Sequence, residues 1–385
     1  MGGIQHTTLA LAANLNREAW NPIVICPEEG ELTRACHAAG VEVRTLPVFP
    51  MCSTSVWINN QTKLPNPAAW LWNAGTILAT ASRISGFLKD LHPDLVITKG
   101  LLCHFYGGLA ASRAGTPCLW YVQDFISERF CGVYKHVFGM MASRVPTRIA
   151  AIGPQIIRQL PPHLRDQSRV VYNPVDTAKF ERAGAADGIR RELGIPPGAM
   201  LIGNAARLTP WKGQHHLIEA FREVVKAEPT ARLLLIGGSL FGDQDYARRL
   251  RRMVEEYNLE DRVIFAGHRQ DVNRLLSAVN VFAYCALEKD ICPLSLLEAM
   301  SAGLPIAAFD IEGVREAIQD RREGLLAPVG NSKALAQALM TLVRDPALRR
   351  GLGESARLRA HSDFSVARHV HGMEQAFAEA LAVSA

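Results

Sequence analysis

Short apolar runs of four to six residues alternate along this chain with amphipathic stretches of ten to fifteen. That alternation is the pattern of β-α-β units, in which each buried strand is followed by a helix that covers a parallel sheet. The runs fall at 23–26, 41–46, 95–98, 118–122 and 148–152, and again at 200–205, 232–236, 263–266, 281–284 and 306–309. Two sets of similar number and spacing predict an α/β fold of two Rossmann-like domains rather than one large sheet. The length, 385 residues, agrees with more than one core. The boundary is expected between Val175 and Gly198, where a strand ends at Asn173-Pro174-Val175-Asp176 and a Gly-, Ala- and Pro-containing stretch follows. This divides the chain into 1–175 and 176–361, with three closing helices near 333–344, 346–360 and 365–381.

The start departs from the pattern. A Rossmann domain opens with a buried strand that runs into a glycine turn and a helix. Here Gly2-Gly3 follows Met1 directly, and a helix over 4–15 carries Ile4, Thr8, Leu11 and Leu15 as its apolar stripe. The strand before the glycines is missing, so translation starts upstream, the chain is truncated, or the first sheet lacks a central strand. The first two readings are preferred.

Composition excludes several classes. With 48% hydrophobic and 21% charged residues, the chain is neither disordered nor fibrous. A formal net charge of +5, dispersed along the sequence, suits anionic ligands or an anionic membrane surface and does not argue for nucleic acid. The eight cysteines, among them Cys131, form no CxxC pair and mostly sit in apolar segments, which reads as reduced core thiols in a cytoplasmic protein. No secretory leader is visible. The longest uncharged stretch, 64–82, holds two prolines and several polar residues and does not read as a membrane span.

The most informative segment runs from Asp290 through Pro293 and Glu298 to Gly303. Pro293 suits the first helical position and Gly303 the stop, giving a helix of about ten residues. The N–H groups of Leu294, Ser295 and Leu296 then lack intrahelical partners and, with the helix dipole, make an anion site. Glu298 lies on the same face as Leu294 and Ser295, about one turn (~5 Å) back, where it can accept from sugar hydroxyls without meeting the anion. Asp290 flanks the anion from the loop. Phosphate donors between two hydroxyl acceptors outline a nucleotide-sugar, although a solvated helix glutamate is the competing reading of Glu298. A second cluster, Asn204 to Gly213, follows the strand at 200–205 and so lies at the carboxyl edge of the sheet. Its Arg207 and Lys212 can neutralise a diphosphate, and an exposed basic loop is the alternative. Glycine pairs at Gly2-Gly3 and Gly237-Gly238 are further, weaker phosphate-loop candidates.

With these residues in place the chain resembles the retaining glycosyltransferases of the two-Rossmann (GT-B) kind, the glycosyl transferase group 1 family. The matching stretches occur in family order: Gly2-Gly3, Val171-Tyr-Asn-Pro-Val-Asp176, Arg207 with Lys212-Gly213, Arg262-Val-Ile-Phe-Ala-Gly267, Asp290 with Glu298-Ala-Met, and Gly324-Leu-Leu-Ala-Pro328. They span nearly the whole chain and are densest from about 170 to 360. The resemblance implies that Arg207, Lys212, Gly3 and the backbone at Leu294 and Ser295 bind the donor diphosphate. It gives Glu298 the ribose hydroxyls, Asp290 the donor sugar, and His268-Arg269 the base. The donor would lie in the interdomain cleft, and a C-terminal helix within 362–385 would cross back to the first domain. The family usually has glutamate where Asp290 stands and a Gly-Phe-Gly-type link where Ile291-Cys292-Pro293 stands. Glu288 is therefore an alternative acid, with Asp290 preferred for its spacing to Glu298. Where relatives carry histidines near the acceptor, this chain has Lys99 and Gln123-Asp124, which read equally well as ordinary loop residues.

The implied reaction is transfer of a hexose from a UDP- or GDP-linked donor to a glycan or lipid-linked acceptor with retention, without a dedicated base, a metal or a cofactor. Asp243-Gln244-Asp245 looks like the acidic metal motif of a different glycosyltransferase fold, but its place before a helix makes it a cap. Phe49, Met51, Trp57, Trp70 and Trp72 form an aromatic, apolar region that leaves open a peripheral contact with the inner face of the membrane. Of these, Trp70 also belongs to a helical stripe with Ala74, Ile77, Ala81, Ile84 and Leu88, which reads as core. A sugar phosphorylase or nucleotide-sugar epimerase is a smaller enzymatic alternative. A non-catalytic nucleotide-sugar-binding homologue is the alternative from another class.

Overall fold

The computed structural model describes residues 2–59, 62–126, 132–181, 186–239, 243–288 and 290–383; Cys131 and the side chain of Trp57 lie outside what is described. The chain forms two compact units, one of residues 1–172 with 369–385 and one of 173–368. Both are α/β, and their main sheets are parallel.

The first unit holds the strands β1 (Ile23–Cys26), β2 (Glu42–Thr45), β3 (Ser55–Asn59), β4 (Thr62–Pro65), β5 (Val96–Lys99), β6 (Cys118–Val122), β7 (Arg148–Ala151) and β8 (Ser168–Val170). β3 and β4 make an antiparallel hairpin, and β5-β6-β7-β8 a four-stranded parallel sheet. β1 pairs only with β2, and among the described residues no strand joins β1 to β5. The described chain opens instead on the helix Gly3–Asn14, whose buried residues are Thr7, Leu11 and Ala12; of the expected stripe Leu11 and the cap residue Leu15 are buried, while Ile4 and Thr8 are half-buried. β6, with sequence CLWYV, is buried along its whole length, as a central parallel strand covered on both faces must be. The last helix, Val366–Ala382, packs in this unit: Phe377 meets Trp20 edge-on at 5.0 Å between ring centroids.

The helix Pro67–Leu91 corrects one expectation. Its buried line is Ala69, Thr76, Thr80, Ala81, Ile84 and Leu88, while Trp70 is 36% exposed and Ala74 faces solvent. Small and hydroxylated residues fill the buried line, so the large aromatics of the first turns are displaced outward. Cys52 is also exposed, unlike the core thiols Cys26, Cys36, Cys118, Cys285 and Cys292.

The second unit is built on β9 (Leu201–Ala205), β10 (Arg232–Ile236), β11 (Val263–Gly267), β12 (Val281–Tyr284), β13 (Ile306–Phe309) and β14 (Gly324–Ala327). The sheet runs β11-β10-β9-β12-β13-β14, all parallel. β9, β12 and β13 are wholly buried. Strand order reverses between β9 and β12, which opens a crevice between the loops leaving their carboxyl ends. Arg207 and Lys212 follow β9; Asp290 and Glu298 follow β12.

Candidate functional site

Two loops face each other across that switch point. Gly213 (φ +69°) allows the closest approach: a Cβ there would fall 2.0 Å from the carbonyl oxygen of Cys285. Leu287 N–H donates to the Trp211 carbonyl at 2.8 Å, and the buried Asn204 amide donates to the Ala283 carbonyl at 2.9 Å. Laced in this way, the loops bring Lys212 Nζ into an ion pair with Asp290, and the Tyr284 hydroxyl donates to the same carboxylate oxygen. Lys212 also stands over the Trp211 ring, 4.3 Å from its centroid. Both members of the pair are mostly shielded, with side chains 13% and 17% exposed, so the attraction is poorly screened. Glu288 is exposed and makes no bond to Lys212, so Asp290 is the acid that the geometry brings to the cation.

The helix after Asp290 spans Leu294–Ser301, with Pro293 at its N-cap. Pro293 therefore stands one residue before the expected first helical position, because its carbonyl accepts from Leu296 and Leu297 at 3.0 and 3.2 Å. The Leu296 N–H is consequently occupied, contrary to expectation. The N–H groups of Leu294 and Ser295 have no acceptor among the described residues. Gly303, at φ +68°, ends the turn as expected. The approach to the helix is unusual: Cys292 takes φ +44°, a left-handed conformation that costs a non-glycine residue about 1 kcal/mol or more. The Asn173 amide holds it there by donating to the Cys292 carbonyl at 3.1 Å. On the other side Gly313 leaves room for the Asp290 backbone; a Cβ there would sit 1.7 Å from the Asp290 carbonyl oxygen.

Glu298 lies a turn behind this helix start. Surrounding protein pushes its carboxyl up to about 7, against a lowering influence from Lys179 on the helix Thr177–Glu181. No hydrogen bond to its side chain is formed by a described residue. It is therefore not a freely solvated helix glutamate.

The remaining expected residues fall elsewhere. Arg207 is exposed at the rim of the β9 loop, its own carbonyl held at 2.8 Å by the fully buried Gln214 amide. His268 is exposed just beyond β11. Arg269 is committed to Asp271 at 2.7 Å and Glu192 at 3.0 Å. Gly3 is exposed at the first turn of its helix in the first unit. Asp243 occupies the N-cap position of the helix Gln244–Glu256 but makes no side-chain capping bond, and Asp245 pairs with Arg248. Tyr284, Gln214 and Gly313 escaped sequence reasoning. Their partners are distant in the chain, and no local pattern marks them.

The second unit is thus a Rossmann-like α/β domain with two acceptor-less helix-start N–H groups, a lysine and two acidic residues gathered at its switch point. The chain belongs to the group 1 glycosyltransferases: the profile of Glycosyl transferases group 1 matches residues 186–359, and that of Glycosyltransferase Family 4 matches residues 1–179. It is 28% identical over 213 residues to N-acetyl-alpha-D-glucosaminyl L-malate synthase of Bacillus anthracis, covering 55% of this chain and 54% of that protein. It is 24% identical over 384 residues to the UDP-Gal:alpha-D-GlcNAc-diphosphoundecaprenol alpha-1,3-galactosyltransferase of Escherichia coli, covering 96% and 92%. Several curated relatives are matched over only about half of their length. In fold, the chain is similar to the crystal structure of Anabaena Alr3699/HepE in complex with UDP, with a TM-score of 0.81 and 22% identity over 97% of this chain and 95% of that one. The architecture is GT-B.

Proposed function

We propose that this protein transfers a hexose from a UDP- or GDP-linked donor to a glycan or lipid-linked acceptor, with retention and without a metal. The observation that carries this reading is the cluster at the second unit's switch point: the N–H groups of Leu294 and Ser295, without acceptors among the described residues, the Lys212–Asp290–Tyr284 contact and the raised carboxyl of Glu298. On this reading Lys212, Arg207 and the helix start bind the diphosphate. Glu298 accepts from the ribose and Asp290 from the donor sugar.

The acceptor hydroxyl oxygen attacks the anomeric carbon on the face that the diphosphate leaves. The carbon–oxygen bond to phosphorus's bridging oxygen breaks through an oxocarbenium-like transition state. The acceptor proton passes to a diphosphate oxygen, so no separate base is needed. Fixed cations and N–H groups stabilise the charge that grows on the leaving group. Of the two relatives described, the Escherichia coli enzyme is named for a UDP-sugar donor and a diphosphoundecaprenol acceptor, which supports both the donor class and a lipid-linked acceptor here.

Peripheral membrane contact belongs to the same reading. Among the described residues no helix is long and apolar enough to cross a membrane. Leu71 and Trp72 are nevertheless 79% and 59% exposed on the first turns of the helix Pro67–Leu91, and Phe49 is exposed on the loop pinned beside it by Asn73 and Trp72.

The test is turnover. The chain is offered UDP- and GDP-hexoses with extracted lipids and glycans, and nucleotide diphosphate release is measured together with the anomeric configuration of the product. Release that depends on acceptor and is lost in Asp290→Ala agrees with the proposal. Tight donor binding with no release, indifferent to Asp290→Ala, refutes it in favour of a binding protein.

A further inference from the structure

A buried glutamine and a buried tyrosine of the second unit stand behind the loop that carries Arg207, and no step described so far uses them. Gln214 opens the helix Gln214–Ala227 directly after that loop and is 0% exposed. Tyr246, on the helix Gln244–Glu256, is 5% exposed. A side-chain amide shut away from water is costly unless it is paired. Gln214 Nε2 donates to the Arg207 carbonyl at 2.8 Å, and Gln214 Oε1 accepts from the Tyr246 hydroxyl at 3.3 Å. The Tyr246 oxygen in turn accepts from the His215 N–H at 3.2 Å, one of the N–H groups that a helix start leaves without an intrahelical partner.

Burial fixes the order of the protons. The Tyr246 hydroxyl also lies 2.9 Å from His215 Nδ1. Were its proton given to that nitrogen, Gln214 Oε1 would be buried with no donor among the described residues, the costlier arrangement. The hydroxyl therefore points to Gln214, and a neutral His215 donates its Nδ1–H to the Tyr246 oxygen. Burial, with the charges of His216 and Arg249 adding to it, pulls His215 down to about 4, and burial pushes the Tyr246 hydroxyl up, so both groups keep these forms near neutral pH. At the far end of the chain of bonds is the peptide between Arg207 and Leu208. Its N–H is held by the Gly238 carbonyl at 3.0 Å and its carbonyl by Gln214. The Arg207 side chain is exposed, and its guanidinium bonds to no described residue. The backbone thus decides where this cation stands.

We propose that Tyr246 and Gln214 are positioning residues for the donor diphosphate: through the Arg207 carbonyl they fix the peptide that presents the Arg207 guanidinium to it. The proposal rests on the reading of Arg207 as a diphosphate ligand given above. Neither residue touches the donor. Without the Tyr246 hydroxyl, Gln214 is free to turn, the Arg207 carbonyl loses its donor, and the guanidinium spreads over more positions that binding must then order.

The test is a double-variant cycle read by calorimetric titration of UDP and GDP. Tyr246→Phe deletes the hydroxyl and keeps the packed ring. It should weaken nucleotide binding by about 3- to 10-fold, the worth of one neutral hydrogen bond. In the Arg207→Ala background the same substitution should change affinity by less than about twofold, because the residue it acts through is gone. Gln214→Met, of similar length and without an amide, should behave likewise. Deuterium exchange of the nucleotide-free protein gives a second readout: amides of 207–212 should exchange faster in Tyr246→Phe, and those of β9 and β12 at the wild-type rate. Equal weakening in both backgrounds overturns the proposal, since the hydroxyl then serves the unit as a whole. Unchanged binding by Tyr246→Phe, or unchanged exchange at 207–212, overturns it too. If Arg207→Ala binds as tightly as the wild type, the donor reading fails and takes this proposal with it. If Arg207→Ala weakens binding and Tyr246→Phe does not, this proposal fails alone.

Discussion

Replacing Glu298 by glutamine should make the donor-free protein more stable at alkaline pH, although it damages the site. In the unfolded chain this carboxyl titrates near 4.5; in the folded protein burial raises it to about 7. The folded form therefore binds a proton more tightly than the unfolded form. Its contribution is fully favourable below pH 4.5, is lost as pH rises from 4.5 to about 7, and stays lost above that. A shift of that size corresponds to about 3 kcal/mol, taken as an order of magnitude. Glutamine fits the same space without ionising. Glu298→Gln should thus match the wild type at pH 5 and exceed it at pH 8. For a unit of this size the gain amounts to roughly 5–10 °C in the midpoint of thermal unfolding. The same carboxyl should couple to the donor. Ribose hydroxyls that donate to it favour the ionised form, so binding near pH 7 should release about half a proton. Calorimetry in buffers of different ionisation enthalpy measures that release, and Glu298→Gln should abolish it. Equal thermal midpoints at pH 8, or a variant that is less stable there, would refute the reasoning about Glu298.

Tyr284→Phe removes the hydroxyl that donates to Asp290; with a charge-assisted bond worth about 1.5–3 kcal/mol, kcat/KM should fall by roughly 10- to 100-fold while the fold persists, as read from circular dichroism and initial rates. Gly313→Ala would force its Cβ against the Asp290 carbonyl and should cost about 1–3 kcal/mol of stability in denaturant titration, together with most of the activity. Asn173→Ala leaves the Cys292 carbonyl unpartnered and should destabilise the second unit by about 1–3 kcal/mol, with weaker donor binding than wild type. Leu71→Ser with Trp72→Ser should reduce sedimentation with anionic liposomes and leave donor binding unchanged; unchanged sedimentation would remove these residues from any membrane contact.

How much of this was legible in the sequence follows from the range of the interactions. Strand positions were readable because β6, β9 and β13 are continuous apolar runs, and burial on both faces needs nothing more specific. The short strand β14 and the hairpin β3–β4 carry weaker local signals and were not marked, and of β8 (Ser168–Val170) only an end, placed at 173–176, was read. Spacing placed Arg207 and Lys212 at the carboxyl end of a strand, and Asp290 and Glu298 around the start of a helix. That Lys212 meets Asp290 depends on β9 lying next to β12, an adjacency no local pattern encodes. Pro293 misled by one residue because a proline serves at the cap as well as inside the first turn. The Trp70 stripe misled because helical spacing gives a face but not which face is covered; Ala69, Thr76 and Thr80 pack closer than the tryptophan could. The raised carboxyl of Glu298 was invisible in principle, since burial is a property of the whole unit.

The central claim is that the crevice between β9 and β12 holds a nucleotide diphosphate through Arg207, Lys212 and the start of the Leu294–Ser301 helix. Calorimetric titration of UDP and GDP into the wild type and into Arg207→Ala/Lys212→Ala tests it most directly. The account predicts saturable binding of at least one nucleotide by the wild type and a loss of about 100-fold or more in the double variant, from two charge-assisted contacts. Equal affinity in the two proteins, or no binding of either nucleotide to the wild type, would contradict it.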